Sequence, residues 1–435
     1  MESCSTDRSF SFQHRGAGWT EQRGDEYERR RVVVTGVGPI TPLGIGRDEF
    51  WSRLTAGECA AAEVEAFDTS EYRVHRGCEV RNFDFEQLVG KEPIPGMGRA
   101  AQFATAASVL ALHDGELAPD EVDPRRIGVC VGTTCGEIQI LEARDRAVVI
   151  DGRSSHDDHW LANHPACAIP AAVGHWFRFC GPNLMLPTAC AAGNFSIAYA
   201  MELIRNGRAD VMLAGGADPF SRVAFTGFAR LGSVAPEVCQ PFDRNRRGIL
   251  VGEGAGIVLV EALDHARARG ARVHAELIGY GLASDAHHMT TPEGEGDGIA
   301  RAMKGALADA RLDISGVDYI CAHGTGTPMN DLVETRAVKR VFGPWARAVP
   351  ISSIKSMLGH TMGAASAIET IACVLALTEG VVPPTINYET PDPACDLDYV
   401  PNESRPRHLC TALNNALGFG GVNSSLLLSR PEIAA

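Results

Sequence analysis

Two distant stretches of this chain are built alike, and that repetition limits the fold more than any other feature. In the first, Cys190 precedes Ala191, Ala192 and Gly193, followed by Ile197, Ala200, Leu203 and Ile204. In the second, His360 precedes Gly363, Ala364 and Ala365, followed by Ile368, Ile371 and Leu375. Apolar side chains lie on nearly every side of both segments, so each is expected as a fully buried helix. Short β-branched runs alternate with helical periodicity around them. Residues 31–36, 127–131, 211–214 and 257–260 read as strands, and so do 275–281, 319–322, 350–353 and 425–428. Helices are expected over 102–113, 191–205, 299–311, 331–342 and 361–378. Strands alternating with helices imply a layered α/β fold with a largely parallel sheet. The repetition implies two like halves, 30–270 and 271–435, behind a polar, aperiodic tail over 1–29 that is expected to be mobile.

Charge narrows the function. Among 435 residues, 54 Asp+Glu against 40 Lys+Arg give a net charge of −14. That balance argues against nucleic acid or an anionic membrane as partner. No uninterrupted apolar run reaches about 18 residues, so no membrane span is expected. The polar N-terminus lacks the apolar stretch of a secretory signal. The thirteen cysteines are odd in number, and Cys130, Cys321 and Cys373 sit in apolar runs. They read as free thiols of a reducing cytoplasm rather than disulfides or zinc ligands. His287 and His288, adjacent in a strand, would point to opposite faces and make a poor metal pair; no metal is expected.

Three junctions carry candidate chemistry. At Thr188-Ala189-Cys190-Ala191-Ala192-Gly193 a strand-like approach ends in a cysteine and a buried helix follows. A helix N-terminus favours the thiolate, which lowers a thiol pKa of about 8.5 and makes Cys190 a candidate nucleophile. At Cys321-Ala322-His323-Gly324-Thr325-Gly326-Thr327-Pro328 a histidine stands at the C-terminal tip of a strand, the edge where open α/β sheets bind ligands. At Lys355-Ser356-Met357-Leu358-Gly359-His360 a lysine and a second histidine precede the second small-residue helix. A helix N-terminus disfavours imidazolium, so His360 is expected neutral and able to donate an N–H. Lys355 needs a carboxylate partner, and Asp331 and Glu334 are available on one helical face. Gly418-Phe419-Gly420-Gly421 suits a hinge with exposed backbone N–H groups.

One cysteine and two histidines at such junctions resemble the β-ketoacyl synthases. The chain is similar to the acyl-carrier-protein ketosynthases of type II fatty-acid synthesis and to the ketosynthase subunits of type II polyketide systems. Further shared landmarks are Val34-Thr35-Gly36-Val37-Gly38, Pro241-Phe242-Asp243, Gly252-Glu253-Gly254 and Pro384-Thr385-Ile386-Asn387. The resemblance implies the thiolase fold, two α/β halves in α-β-α-β-α layers. It implies acyl transfer from a carrier-protein phosphopantetheine thioester onto Cys190, then decarboxylation of a malonyl thioester and attack of its carbanion. His323 and His360 would stabilise the enolate, and the N–H groups of Cys190 and Phe419 would bind the acyl oxyanion. Lys355 would orient the histidines through Glu334, with Asp331 supporting that loop. Thr325 and Thr327 would contact the pantetheine arm, and Phe419 would gate access, with Phe228 moving alongside it. No bound cofactor is implied. The partners would be an acyl carrier protein and, in a homodimer or heterodimer, a second copy or a chain-length-factor-like subunit.

The chain departs from the family pattern at Arg247, where Asp is frequent, at Pro187, and most over 154–180, rich in His and Trp. The last leaves the acyl substrate open. Two other readings share these motifs. A non-catalytic chain-length partner is opposed by the presence of Cys190, His323, His360 and Lys355 together. An acyltransferase forming an ester or amide without decarboxylation would use the same cysteine. A degradative thiolase would be expected to carry a cysteine where Phe419 stands. An acidic carrier protein needs a local basic face, for which Arg125, Arg126, Arg244, Arg246 and Arg247 are candidates.

Overall fold

The computed structural model describes residues 29–152 and 162–431. The expected tail over 1–29 and the histidine-rich stretch around His156 and His159 lie almost wholly outside these residues. Among the described residues, the main sheet has eleven strands. Five come from each half, and the eleventh, Gly44–Ile45, pairs with Val32–Thr41. In the first half the order runs Val32–Thr41, Gly254–Ala262, Val211–Asp218, Ile127–Gly132, Asn183–Leu186. In the second it runs Ala275–Ser284, Val422–Ser429, Thr411–Gly418, Tyr319–Cys321, Ile351–Ser352. By chain order within each half this is the same sequence, 1-5-4-2-3. The directions match as well: strand 2 is parallel to strands 3 and 4, and strand 5 is antiparallel to strands 4 and 1, so the sheet is mixed, with six antiparallel pairings and four parallel ones among the described residues, and not largely parallel as expected. The halves join where Val32–Thr41 pairs antiparallel with Ala275–Ser284.

Layering follows from where small residues let helices approach. A Cβ on Gly36 or Gly38 would stand 2.1 Å from the carbonyl oxygen of Ala111 or 1.9 Å from that of Ala107. Helix Arg99–Asp114 therefore lies directly on the first strand's backbone. Helix Asp297–Ala310 covers the second half in the same way, since a Cβ on Gly281 would stand 1.9 Å from the oxygen of Ala302. Between the half-sheets run helices Ala192–Arg205 and Ala365–Glu379, the latter buried from Ala365 to Leu377. They cross at Gly193, where a Cβ would meet the nitrogen of Ala367 at 2.5 Å. Two outer helical layers, two half-sheets and a central helical layer make the α-β-α-β-α stack of the thiolase fold. The segment Met362–Glu379 is apolar and long enough for a membrane span, but 89% of it is buried inside this stack.

The structure corrects the pairing of the two small-residue segments. Each opens with a 3-10 turn, Ala189–Ala191 or Met362–Ala364, and then becomes an α-helix. The first residue of each turn has positive φ, 48° at Ala189 and 54° at Met362, uncommon for residues with a Cβ. The counterpart of Cys190 is thus Gly363, not His360. Strand Thr411–Gly418 was absent from the sequence-based strands because Asn414 and Asn415 interrupt its apolar run. Both are buried with partners: Asn414 Nδ2 donates to the Ser366 carbonyl at 2.8 Å, and Ser425 Oγ donates to Asn415 Oδ1 at 2.7 Å.

Candidate active site

Cys190, His323, His360 and Phe419 come from four separate junctions, yet they line one cavity of about 330 Å³ together with Thr325 and Thr327. Cys190 sits in the 3-10 turn before the central helix, 4% exposed. Strand Asn183–Leu186 stops just before Pro187, which has no N–H to continue the ladder. The backbone N–H groups of Phe419 and Cys190 lie near enough to the sulfur to favour its thiolate. Gly418 permits this approach: a Cβ there would lie 3.2 Å from the Thr188 oxygen and 3.4 Å from the Cys190 nitrogen. The expected lowering of the thiol pKa is not found. Burial pushes Cys190 up to about 11, more than the nearby Lys355 charge and the two N–H bonds pull it down.

The two histidines face each other edge to face, ring centroids 5.5 Å apart. Each has one nitrogen committed. Met362 N–H donates to His360 Nδ1 at 3.1 Å. The His360 backbone is pinned by its N–H to the Leu250 carbonyl at 2.7 Å, which places the Gly252-Glu253-Gly254 segment behind it. Lys355 Nζ donates to His323 Nδ1 at 3.3 Å. Both rings are therefore neutral tautomers with the proton on Nε2. Burial, reinforced by the Lys355 charge, holds both imidazoles well below the usual histidine range.

The carboxylate that pairs with Lys355 is Glu369, not Glu334. Both partners are 1% exposed. Glu369 is the lone charge in the buried run of helix Ala365–Glu379, a signal for an internal cation that the sequence reading passed over. Glu334 instead accepts the backbone N–H groups of His323 at 2.8 Å and Gly324 at 2.9 Å. It fixes the loop rather than the lysine. Burial raises Glu334 and Glu369 to about 7 each. Asp331 accepts from Phe242 N at 2.7 Å and Gly326 N at 3.2 Å, tying the same loop to residue 242. The Thr325 and Thr327 hydroxyls are 2.9 Å apart. Phe228, on helix Arg222–Arg230, meets Phe419 with ring centroids 5.5 Å apart.

Other expected residues fall elsewhere. Arg246 is 9% exposed, bonded to Asp392 at 2.6 Å and to the Thr327 and Pro328 carbonyls, so it anchors the loop from within and cannot meet a partner. Its neighbours Arg244 and Arg247 are exposed. Arg125 and Arg126 precede strand Ile127–Gly132, at the end away from the cavity, and pair with Asp123 and Asp210. His287 and His288 lie in an exposed loop, not a strand, and His288 Nδ1 accepts from Thr290 N at 3.1 Å.

A thiolase fold with a buried cysteine opposed by two neutral imidazoles points to the class of acyl-transferring enzymes. The chain is a member of the β-ketoacyl synthase family: the N-terminal domain of β-ketoacyl synthases matches residues 29–266, and the C-terminal domain matches 274–389. A 3-oxoacyl-[acyl-carrier-protein] synthase 2 of Synechocystis sp. is 39% identical over 410 residues, 93% of this chain and 99% of its own length. The solved ishigamide ketosynthase/chain length factor is 42% identical, with a TM-score of 0.89 over 93% of this chain and all of that one. A type II polyketide acyl-carrier protein in complex with its ketosynthase, bound to the hexaketide, gives 34% identity and a TM-score of 0.86 over 93% of this chain.

Proposed function

We propose that this chain is a decarboxylating β-ketoacyl-[acyl-carrier-protein] synthase of fatty-acid or polyketide biosynthesis, with Cys190 as nucleophile. One observation carries the reading. The cavity holds two separate sets of N–H donors, backbone groups at Cys190 and Phe419 and side-chain Nε2 groups at His323 and His360. An enzyme that only moved an acyl group would need the first set. Two successive thioester oxygens need both.

In the first step the Cys190 sulfur attacks the carrier thioester, the oxyanion rests on the Cys190 and Phe419 N–H groups, and the pantetheine thiol leaves with the cysteine proton. In the second, a malonyl thioester loses carbon dioxide and its enolate oxygen is held by His323 and His360. The enolate carbon attacks the acyl-enzyme, and collapse of the tetrahedral intermediate expels the Cys190 thiolate. Each preorganised donor in such a site is worth about 10²–10³ in rate. Lys355 keeps His323 in the donating tautomer, Glu334 and Asp331 hold its loop, and Thr325 and Thr327 receive the pantetheine arm. Phe419 and Phe228 gate the cavity. The nucleophile comes from the half spanning 30–270, the histidines and lysine from 271–435.

No bound cofactor is required, since the acyl groups arrive on the carrier protein's phosphopantetheine. Arg230, Arg244 and Arg247 are exposed and lie in segments that border the cavity, a basic rim for an acidic carrier protein in the cytoplasm. Among the described residues, strand Asn183–Leu186 has one unpaired edge, which suits a dimer with a second copy or a chain-length-factor-like subunit. The test is to incubate the protein with a panel of acyl carrier-protein thioesters plus a malonyl one and record intact mass. An adduct lost in Cys190→Ala, with carbon dioxide and a longer β-keto product, is the expected result. Loading without decarboxylation would favour the ester- or amide-forming reading.

A further inference from the structure

The duplicated fold carries a second copy of the nucleophile's surroundings, and its residues differ in an informative way. Gly363 stands where the first copy has Cys190. Asp218 ends strand Val211–Asp218 where Gly418 ends the equivalent strand Thr411–Gly418. The residue after it is Pro219, which has no N–H, where the first copy has Phe419. At Cys190 the absent side chain of Gly418 leaves the N–H groups open. At Gly363 a carboxylate fills that place.

Asp218 is fully buried and has a complete set of partners. Gly363 N–H and Thr134 N–H donate to Oδ2, each at 2.7 Å. Thr133 Oγ1 and Cys135 N–H donate to Oδ1, each at 2.8 Å. Gly363 follows Met362, whose N–H fixes the His360 tautomer. The loop Thr133–Cys135 follows Gly132, where a Cβ would stand 2.3 Å from the Ala192 carbonyl oxygen, so it lies against the start of the Cys190 helix. We propose that Asp218 is a positioning residue that ties the loop beside Cys190 to the turn that sets His360, so that the decarboxylation step depends on it more than acyl loading does. The inference rests on the two-step reading given above.

The two ends of this clamp respond in opposite senses. The charge of Asp218 raises the thiols of Cys190 and Cys135 and the carboxyl of Glu137, the titratable groups that sense it. Neutralising it leaves Cys190 easier to ionise. It also replaces one oxygen by an amide NH₂, which opposes the Gly363 and Thr134 N–H groups in one orientation and the Cys135 N–H in the other, so either orientation loosens the clamp.

The test compares Asp218→Asn, the isosteric change, and Thr133→Val, which removes one donor and leaves the carboxylate, with the native enzyme. Three quantities are read: acyl loading of Cys190 by intact mass, carbon dioxide release from malonyl carrier protein, and the pH dependence of Cys190 alkylation by iodoacetamide. For Asp218→Asn, carbon dioxide release should fall about 30-fold or more while loading changes less than about threefold, because misplaced donors cost rate where charge develops. The alkylation profile should move to lower pH. Thr133→Val should show the same inequality at smaller size, with the alkylation profile in place. Equal losses in both steps, or an alkylation profile that stays put in a folded Asp218→Asn, overturns the proposal. If the native protein neither loads nor decarboxylates, the proposed function falls, while the alkylation profile, which needs no acyl donor, still decides whether Asp218 acts on Cys190.

Discussion

The ammonium of Lys355 lies 3.3 Å from Nδ1 of His323 and forms an ion pair with Glu369 on its other side. A lysine buried to 1% exposure needs an opposite charge beside it. Glu369 holds the charge, and the charge holds the tautomer. Lys355→Met should therefore fail twice. It leaves Glu369 buried without its cation, so the carboxyl takes up a proton and loses its hydrogen-bond partner, costing about 1–3 kcal/mol of stability, and it frees His323 to turn. The double variant Lys355→Met/Glu369→Gln should recover most of the melting temperature and none of the decarboxylation. A double variant that regains carbon dioxide release would remove Lys355 from the mechanism.

His360 offers a cleaner separation of the two steps. Its ring lines the cavity but its backbone is pinned to Leu250, so His360→Ala should leave the loop in place. In the proposed mechanism, loading of Cys190 uses the backbone donors at Cys190 and Phe419, so it should persist. Carbon dioxide release should fall about 10²–10³-fold, the worth of one such donor. Rapid-quench measurement of both products in one sample checks this. Loss of loading equal to loss of decarboxylation would place His360 in the first step as well.

How much of this site was legible before the fold was known divides along a physical line. Cys190, His323 and His360 each announce themselves locally, by a reactive side chain between a strand-like run and small residues. The partner of Lys355 did not. Asp331 and Glu334 were favoured because they follow His323 closely, but closeness in sequence fixed them to backbone N–H groups of their own loop instead. The thiol's direction of shift was also missed, because a helix N-terminus is a local feature and burial is a property of the whole stack. The repeated strand order could be guessed only in outline, since Asn414 and Asn415 hid one strand and the correct pairing of Cys190 with Gly363 rests on backbone dihedrals.

The raised thiol pKa makes a prediction of its own. A folded-state value of about 11, set by burial, means the proposed nucleophile rests as a neutral thiol at pH 7. Alkylation of Cys190 by iodoacetamide should rise about tenfold per pH unit from pH 7 to 9 with no plateau, because the thiolate is the reacting species. Lys355 lowers this pKa by its charge, so Lys355→Met should slow alkylation across that range. Peptide mass mapping separates Cys190 from the exposed Cys59, Cys167, Cys180 and Cys410. A plateau near pH 7 would mean that the N–H donors outweigh burial.

The gate can be tested through its hinge as well as its ring. Phe419 sits in the turn between Thr411–Gly418 and Val422–Ser429, followed by Gly420 and Gly421 with φ of 85° and 73°. Both values disfavour any residue with a Cβ. At Gly421 a side chain would also meet Asp285 Cβ at 2.9 Å, so substitution there confounds strain with a clash. At Gly420 the nearest atom, Val422 Cγ2, is 3.7 Å away, so Gly420→Ala adds backbone strain alone, about 1–2 kcal/mol. That strain biases the turn away from the conformation in which Phe419 N–H faces the sulfur, and loading should slow. Phe419→Ala keeps the N–H and removes only the ring that packs on Phe228. Loading should then persist, while the acyl-enzyme, no longer shielded, should hydrolyse to free acid faster than in the native protein. If the two variants behave alike in a time course of acyl-enzyme mass and free acid, ring and backbone do not have separate roles and the gate assignment fails.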